Sequence, residues 1–158
     1  MPEGMVGYDE DLYLWSQQQA AALREAARRG VNLPVDWENV AEEIESLGRS
    51  DRRGITSRLE TIMVHLLKLE HSLAPDPRNG WIRTVERTRE DAESLLRESP
   101  SLRAQLPEML AEAAKRAMRY AAVALEDAGE HDAARQIKRT GIRYTVEDVL
   151  GDWLPPGP

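Results

Sequence analysis

Residues 36–70 read DWENVAEEIESLGRSDRRGITSRLETIMVHLLKLE, and how this stretch divides decides the fold. Asp36 suits an N-cap, and Trp37, Val40, Ala41, Ile44 and Leu47 recur at the three- and four-residue spacing of a buried helix side. Gly48 stands where glycine relieves left-handed strain at a helix end, so a helix is predicted to close there. Ser50 then caps the next helix, roughly residues 51–72, whose apolar stripe is Ile55, Leu59, Ile62, Met63, Leu66, Leu69 and Leu73. With only about two residues between them, the two helices are predicted to pack antiparallel as a hairpin.

The flanking sequence is helical on both sides. Asp9 is a candidate cap for a first helix reaching about Arg29, with Tyr8, Leu12, Trp15, Ala22, Leu23 and Ala26 inward and Gly30 as its stop. APDPRNG (residues 74–80) is the clearest break, followed by a helix over 81–98 that buries Trp81, Val85, Ala92, Leu95 and Leu96. Ser99 and Pro100 start a fifth helix, which Pro107 either kinks or restarts, and its inner face is largely alanine. Residues 129–142 are charged and ambiguous. Thr145 and Asp148 form a near capping box for a short C-terminal helix with Val146, Val149, Leu150 and Trp153 to dock. The reading is an all-α, single-domain bundle of about five main helices plus a short C-terminal one. Residues 8–154 form its domain, 1–7 a flexible N-terminus and 155–158 a tail.

A length of 158 residues suffices for one real core. The formal charge of -7 argues against non-specific nucleic-acid binding, which relies on a basic surface to displace counterions. With no cysteine there is no disulfide, thiolate zinc site or cysteine nucleophile. No signal peptide is read at the N-terminus, and no apolar run approaches the ~18 residues of a membrane span. A cytoplasmic protein without nucleic-acid or membrane contacts is expected.

Glu42, Glu43 and Glu45 are the first candidates for chemistry. A step of ~100° per residue from Val40 sends Glu42 nearly away from the apolar side, Glu45 to one flank, and Glu43 to the stripe edge beside Leu47. Arg58, Thr61, His65, Lys68 and Ser72 make a polar stripe beside the apolar face of the following helix. In a hairpin turning near Arg49, Glu43 comes level with Arg58, and His65 lies near Asp36. Glu43, Arg58, His65 and Lys68 are then either an anion-binding groove or a structural ion-pair seam; such boundary charges are routine on amphipathic helices. His71 and His131 read as surface residues.

Enzyme templates fit poorly. No glutamate stands three before a histidine, as di-iron bundles need, and there is no His-Glu-x-x-His, phosphate-binding loop or nucleophile elbow. Glu42-x-x-Glu45 matches half of the Mg²⁺ signature of helical nucleotide pyrophosphatases. Its second half is represented only by the distant Glu90-x-x-Glu93, with the wrong last residue.

The 36–70 stretch, with ESPSL (98–102), YTVEDVLGDWLP (144–155) and YDEDLYLW (8–15), resembles the bacterial domain-of-unknown-function family numbered twenty-nine. The resemblance spans nearly the whole chain and implies an all-helical fold with no established activity. Glu42, Glu43, Glu45, Arg49, Arg58, His65 and Lys68 fall on its motif positions. The chain departs from that pattern at Leu69, where an aromatic is usual, and over 129–142, which look helical where many members have a proline-containing loop.

The leading expectation is a non-catalytic protein-binding or regulatory module that needs no cofactor and uses either the polar seam or an exposed face. Its partner and oligomeric state are not specified by the sequence. The alternatives are a Mg²⁺-dependent hydrolase of a phosphorylated small molecule, with metal on Glu42, Glu43 and Glu45, and an anion-binding domain using Arg58, His65 and Lys68.

Overall fold

In a computed structural model, which describes residues 4–158, regular structure is helical throughout and no strand occurs among the described residues. Residues 1–3 of the expected N-terminal segment lie outside the described residues. The helices are α1 (Leu12–Arg28), α2 (Trp37–His71), α3 (Arg78–Glu98), α4 (Leu106–Asp127), α5 (His131–Thr140) and α6 (Val146–Leu150), with a 3-10 turn over Pro100–Gln105. The expected all-α class and helix count hold, five long helices and a short last one, but the partition differs. The two helices expected on either side of Gly48 are one helix of 35 residues, α2. The fifth long helix is instead α5, in the segment whose conformation the sequence left open. No described helix is long and apolar enough to cross a membrane.

Packing sorts the residues into two compact units. One comprises the described residues up to Gly54 together with Ser94–Ala104; the other comprises Ile55–Glu93 and Gln105–Pro158. In the first, α1 lies against the N-terminal part of α2 through small residues, with Ser16, Ala20, Ala41 and Gly48 all buried. Gly48 is therefore a packing residue. Its φ is not among the positive ones, whereas Gly30, at φ 72, does end the preceding segment as expected. A Cβ at Gly48 would strike the Ser16 hydroxyl and stand 3.1 Å from the Tyr13 Cα. That hydroxyl is pinned by donating to the Tyr13 carbonyl at 2.7 Å, so it has little room to yield.

A polar knot closes this unit. Asp11, two residues beyond the expected cap, accepts from the Leu14 N–H at 2.8 Å and so caps α1. The same carboxylate takes the Ser101 N–H at 2.6 Å and the Ser101 hydroxyl at 3.0 Å. Ser99, fully buried, accepts the Tyr13 N–H at 3.0 Å and donates to Asp51 at 2.8 Å. Pro107 stands at the first turn of α4, so it restarts the helix after the 3-10 turn.

In the second unit, Ile55, Leu59, Ile62, Met63, Leu66 and Leu69 of α2 are buried, as the stripe predicts; Leu73, past the helix end, is exposed. Ala113, Ala117 and Ala121 form a buried row on α4, one turn apart. Most of α5 is polar, yet Ala134 and Ile137 are buried in one cluster with Leu67, Ala121, Ala122 and Leu125. Burying an isoleucine of this kind contributes about 1.5–3 kcal/mol, and Ala133 and Ala134 add to the same contact. The expected capping box is present: Thr145 accepts from the Asp148 N–H, and Asp148 accepts from the Thr145 N–H, at 3.1 and 2.8 Å. Arg89 fastens α6 by donating to the carbonyls of Asp148, Val149 and Trp153 at 2.7–2.8 Å.

Two glycines inside helices give a paired test of this packing. A Cβ added at Gly80 in α3 would meet nothing within 4 Å, unlike one at Gly48. Gly80→Ala is expected to stabilise the protein by about 0.5–1 kcal/mol through helix propensity. Gly48→Ala should cost about 1–3 kcal/mol despite the same propensity gain, because overpacking outweighs it. Denaturant unfolding of both variants distinguishes the two roles; a stabilised Gly48→Ala would contradict the close approach of α1.

Candidate functional site

The continuity of α2 rearranges every candidate on it. Glu43 and Arg58 do not face each other across a hairpin; they lie fifteen residues apart on one helix, ~22 Å of rise. His65 is likewise far along the helix from Asp36, which caps its N-terminus by accepting the Asn39 N–H at 3.3 Å. The four-residue seam of Glu43, Arg58, His65 and Lys68 is thus not assembled as one group.

His65 and Lys68 remain neighbours, one turn apart. The His65 Nδ1 lies 2.9 Å from the Thr61 carbonyl, and the Lys68 ammonium sits 5.3 Å from the centre of the Trp81 ring. Burial holds the pKa of both below its ordinary value, and for His65 the Lys68 charge adds to that, against the pull of the Thr61 carbonyl.

The three glutamates do separate, but not as the projection from Val40 has it: Glu43, expected at the edge of the buried stripe, is exposed, and Glu45 is half-buried against α1. Arg24 of α1 bonds Glu38 at 3.0 Å and Glu45 at 2.9 Å and lies 3.5 Å from Glu42. Arg49, one turn beyond Glu45, pairs with Glu42 and approaches Glu45 at 3.5 Å. Glu42 and Glu45 therefore serve an arginine lattice that staples α1 to α2, and its cations compete with any metal for the same carboxylates. No group of three or more metal-ligating side chains occurs among the described residues. Glu43 stands outside this lattice, exposed on the other side of the helix.

That other side is where sequence and structure diverge most. Val40 and Leu47, expected to be buried, are exposed, as are Val31, Leu33 and Val35 in the segment leading into α2. These five side chains are 39–57% exposed. The segment is shaped by two successive short turns, Leu33 N–H to Val31 carbonyl at 3.0 Å and Val35 N–H to Leu33 carbonyl at 2.8 Å. Trp37 and Ile44 are half-buried between this face and α1. The small residues Ala41 and Gly48 take the contact with α1, which leaves the larger aliphatics turned away from it. Val40 and Leu47, two turns apart on one helix, share a side of it, and adjoining exposed aliphatics mark interaction surfaces more often than isolated ones do.

A cleft of about 620 Å³ belongs to the second unit and is lined by Glu70, His71, Glu130, His131 and Gln136 among others. His71 and His131, read as isolated surface histidines, thus share a cleft. Glu130 is committed to the end of α2, accepting from the Ser72 hydroxyl at 2.6 Å and the Leu73 N–H at 2.8 Å. Glu70 accepts from the Tyr144 hydroxyl. The Tyr144 phenol is pushed well above its ordinary pKa by burial and by that carboxylate. Fifty-eight residues separate Ser72 from Glu130, so no local sequence signal links them.

Burial of His65 makes stability depend on pH with a definite sign. With the folded-state pKa below the ordinary 6.5, the unfolded chain binds the proton more readily, so this contribution is present above pH ~6.5 and is lost as pH falls below it. His65→Gln is expected to lose less stability than the parent protein between about pH 7.5 and 5.5. Thermal unfolding across that range reads it out, and parallel curves would contradict a buried, neutral His65.

A similar all-helical fold is found in a known structure. The chain is similar to an alpha-helical protein of unknown function from Rhodospirillum rubrum, known from a crystal structure, with 27% sequence identity and a TM-score of 0.65. The match covers 87% of this chain and 99% of that one. No curated protein matches the sequence. The family model described as domain of unknown function DUF29 matches residues 7–154, in agreement with the resemblance carried by the 36–70 stretch. The chain belongs to the DUF29 family.

Proposed function

We propose that the protein is a cytoplasmic, non-catalytic protein-binding module that works through the exposed aliphatic face of Val31, Leu33, Val35, Val40 and Leu47. The observation that carries this reading is the exposure of Val40 and Leu47 on a regular, well-capped helix, where the amphipathic pattern would otherwise bury them. Each exposed aliphatic side chain gains by leaving water, and the pair Val40 and Leu47, two helical turns apart on one side of α2, suits a helix-in-groove or helix-on-helix contact. Catalysis by the neighbouring carboxylates is disfavoured because Glu42 and Glu45 already carry Arg24 and Arg49. A chain without cysteine suits a reducing compartment.

The test starts with a partner recovered by the full chain, then purified and titrated directly. Val40→Ser with Leu47→Ser should weaken its binding by at least ~tenfold, as loss of central apolar contacts does. Val123→Ser, at an aliphatic residue 47% exposed on α4, should leave it unchanged. Equal binding by the double variant would refute the assignment of this face.

A further inference from the structure

Resting on that reading, we propose that the occupant of this face is an amphipathic helix of another protein, with lysine or arginine beside its apolar stripe, and not a second copy of this chain. Two features of α2 lead there. Of the four glutamates on its first turns, Glu38, Glu42 and Glu45 are held by arginines of the same chain, whereas Glu43 borders the exposed pair Val40 and Leu47 outside that lattice. A partner that covers Val40 and Leu47 therefore also covers or flanks Glu43, and a cationic side chain there is its complement.

Symmetry disfavours the chain's own face as that partner. Paired in parallel about a two-fold axis, each residue of α2 meets its counterpart, so Glu43 meets Glu43. Paired antiparallel with Val40 on Leu47, the axis passes between positions 43 and 44, and Glu43 meets Glu43 again. Either arrangement brings like charges together as the contact loses water, which is repulsive. The chain's charge of -7 adds long-range repulsion between copies and attraction for a basic partner.

Two labelled peptides of about 18 residues, long enough to form helix on a surface, test this directly. Both carry the same leucine stripe, flanked by lysine in one and by glutamate in the other. Fluorescence anisotropy is measured on the full chain, on Glu43→Lys and on Val40→Ser with Leu47→Ser. The lysine peptide is expected to bind the parent at least ~tenfold more tightly than the glutamate peptide, Glu43→Lys to reverse the preference, and the double variant to bind neither. Equal binding of both peptides, lost in the double variant, overturns the basic partner while the face stands. Binding of neither peptide by the parent, or binding that survives the double variant, overturns both. A dimer seen by sedimentation that Leu47→Ser abolishes makes the second copy the occupant and overturns this inference alone.

Discussion

The contact between Gly48 and the Tyr13–Ser16 turn of α1 governs the arrangement around it. Its lack of a side chain lets α1 approach α2 where any Cβ would collide. That approach requires α2 to be helical at Gly48, which carries the helix past the point where a glycine often ends one. The contact side of α2 is consequently taken by small residues, Ala41 and Gly48, and the larger aliphatics Val40 and Leu47 are displaced toward solvent. The close contact at Gly48 thus goes together with an uninterrupted helix and with aliphatic side chains on its far side.

Charge follows the same geometry. On the flank nearest α1, Glu38, Glu42 and Glu45 are within reach of Arg24, and Arg49 adds a second cation from α2 itself. Exposed ion pairs of this sort contribute little stability individually, but a shared arginine fixes the orientation of three side chains at once. On the far flank the helix presents Glu43 among aliphatics. Two sides of the same helix therefore differ: one is engaged in assembling the first unit, and the other leaves aliphatic side chains and one glutamate on solvent. In the second unit, His65 and Lys68 are likewise shaped by burial, beside Trp81, and not by an opposing carboxylate from α2.

Much of the fold was legible because helical periodicity and caps are local signals. Gly30, the Thr145–Asp148 box and the stripe from Ile55 to Leu69 appear as the pattern predicts. Gly48 misled because a stop and a close-packing glycine look alike in isolation. A seven-residue recurrence, Ala41, Gly48, Ile55, Ile62 and Leu69, runs unbroken through it, and no proline follows as Pro34 follows Gly30. That longer period is the signal that separates the two cases. Projection kept the carboxylates apart but, centred on the exposed Val40, put Glu43 at the buried edge where the structure exposes it, and their arginine partner on α1 lies beyond the reach of local pattern. The exposure of Val40 and Leu47 was illegible for a related reason, since amphipathic spacing says which residues share a side and not whether another element covers it. Helix α5 was obscured because its inward side is only a few residues wide within a charged segment.

The continuity of α2 through Gly48 is the claim on which the placement of every candidate residue depends. Because the chain has no cysteine, Glu43→Cys and Ser57→Cys allow nitroxide labels at two exposed positions of the otherwise unaltered protein. A pulsed electron-spin distance measurement between them should give about 21 Å, the rise of fourteen residues in one uninterrupted helix. A separation near 10 Å, the spacing of two packed helices, would restore the hairpin and contradict the continuous helix.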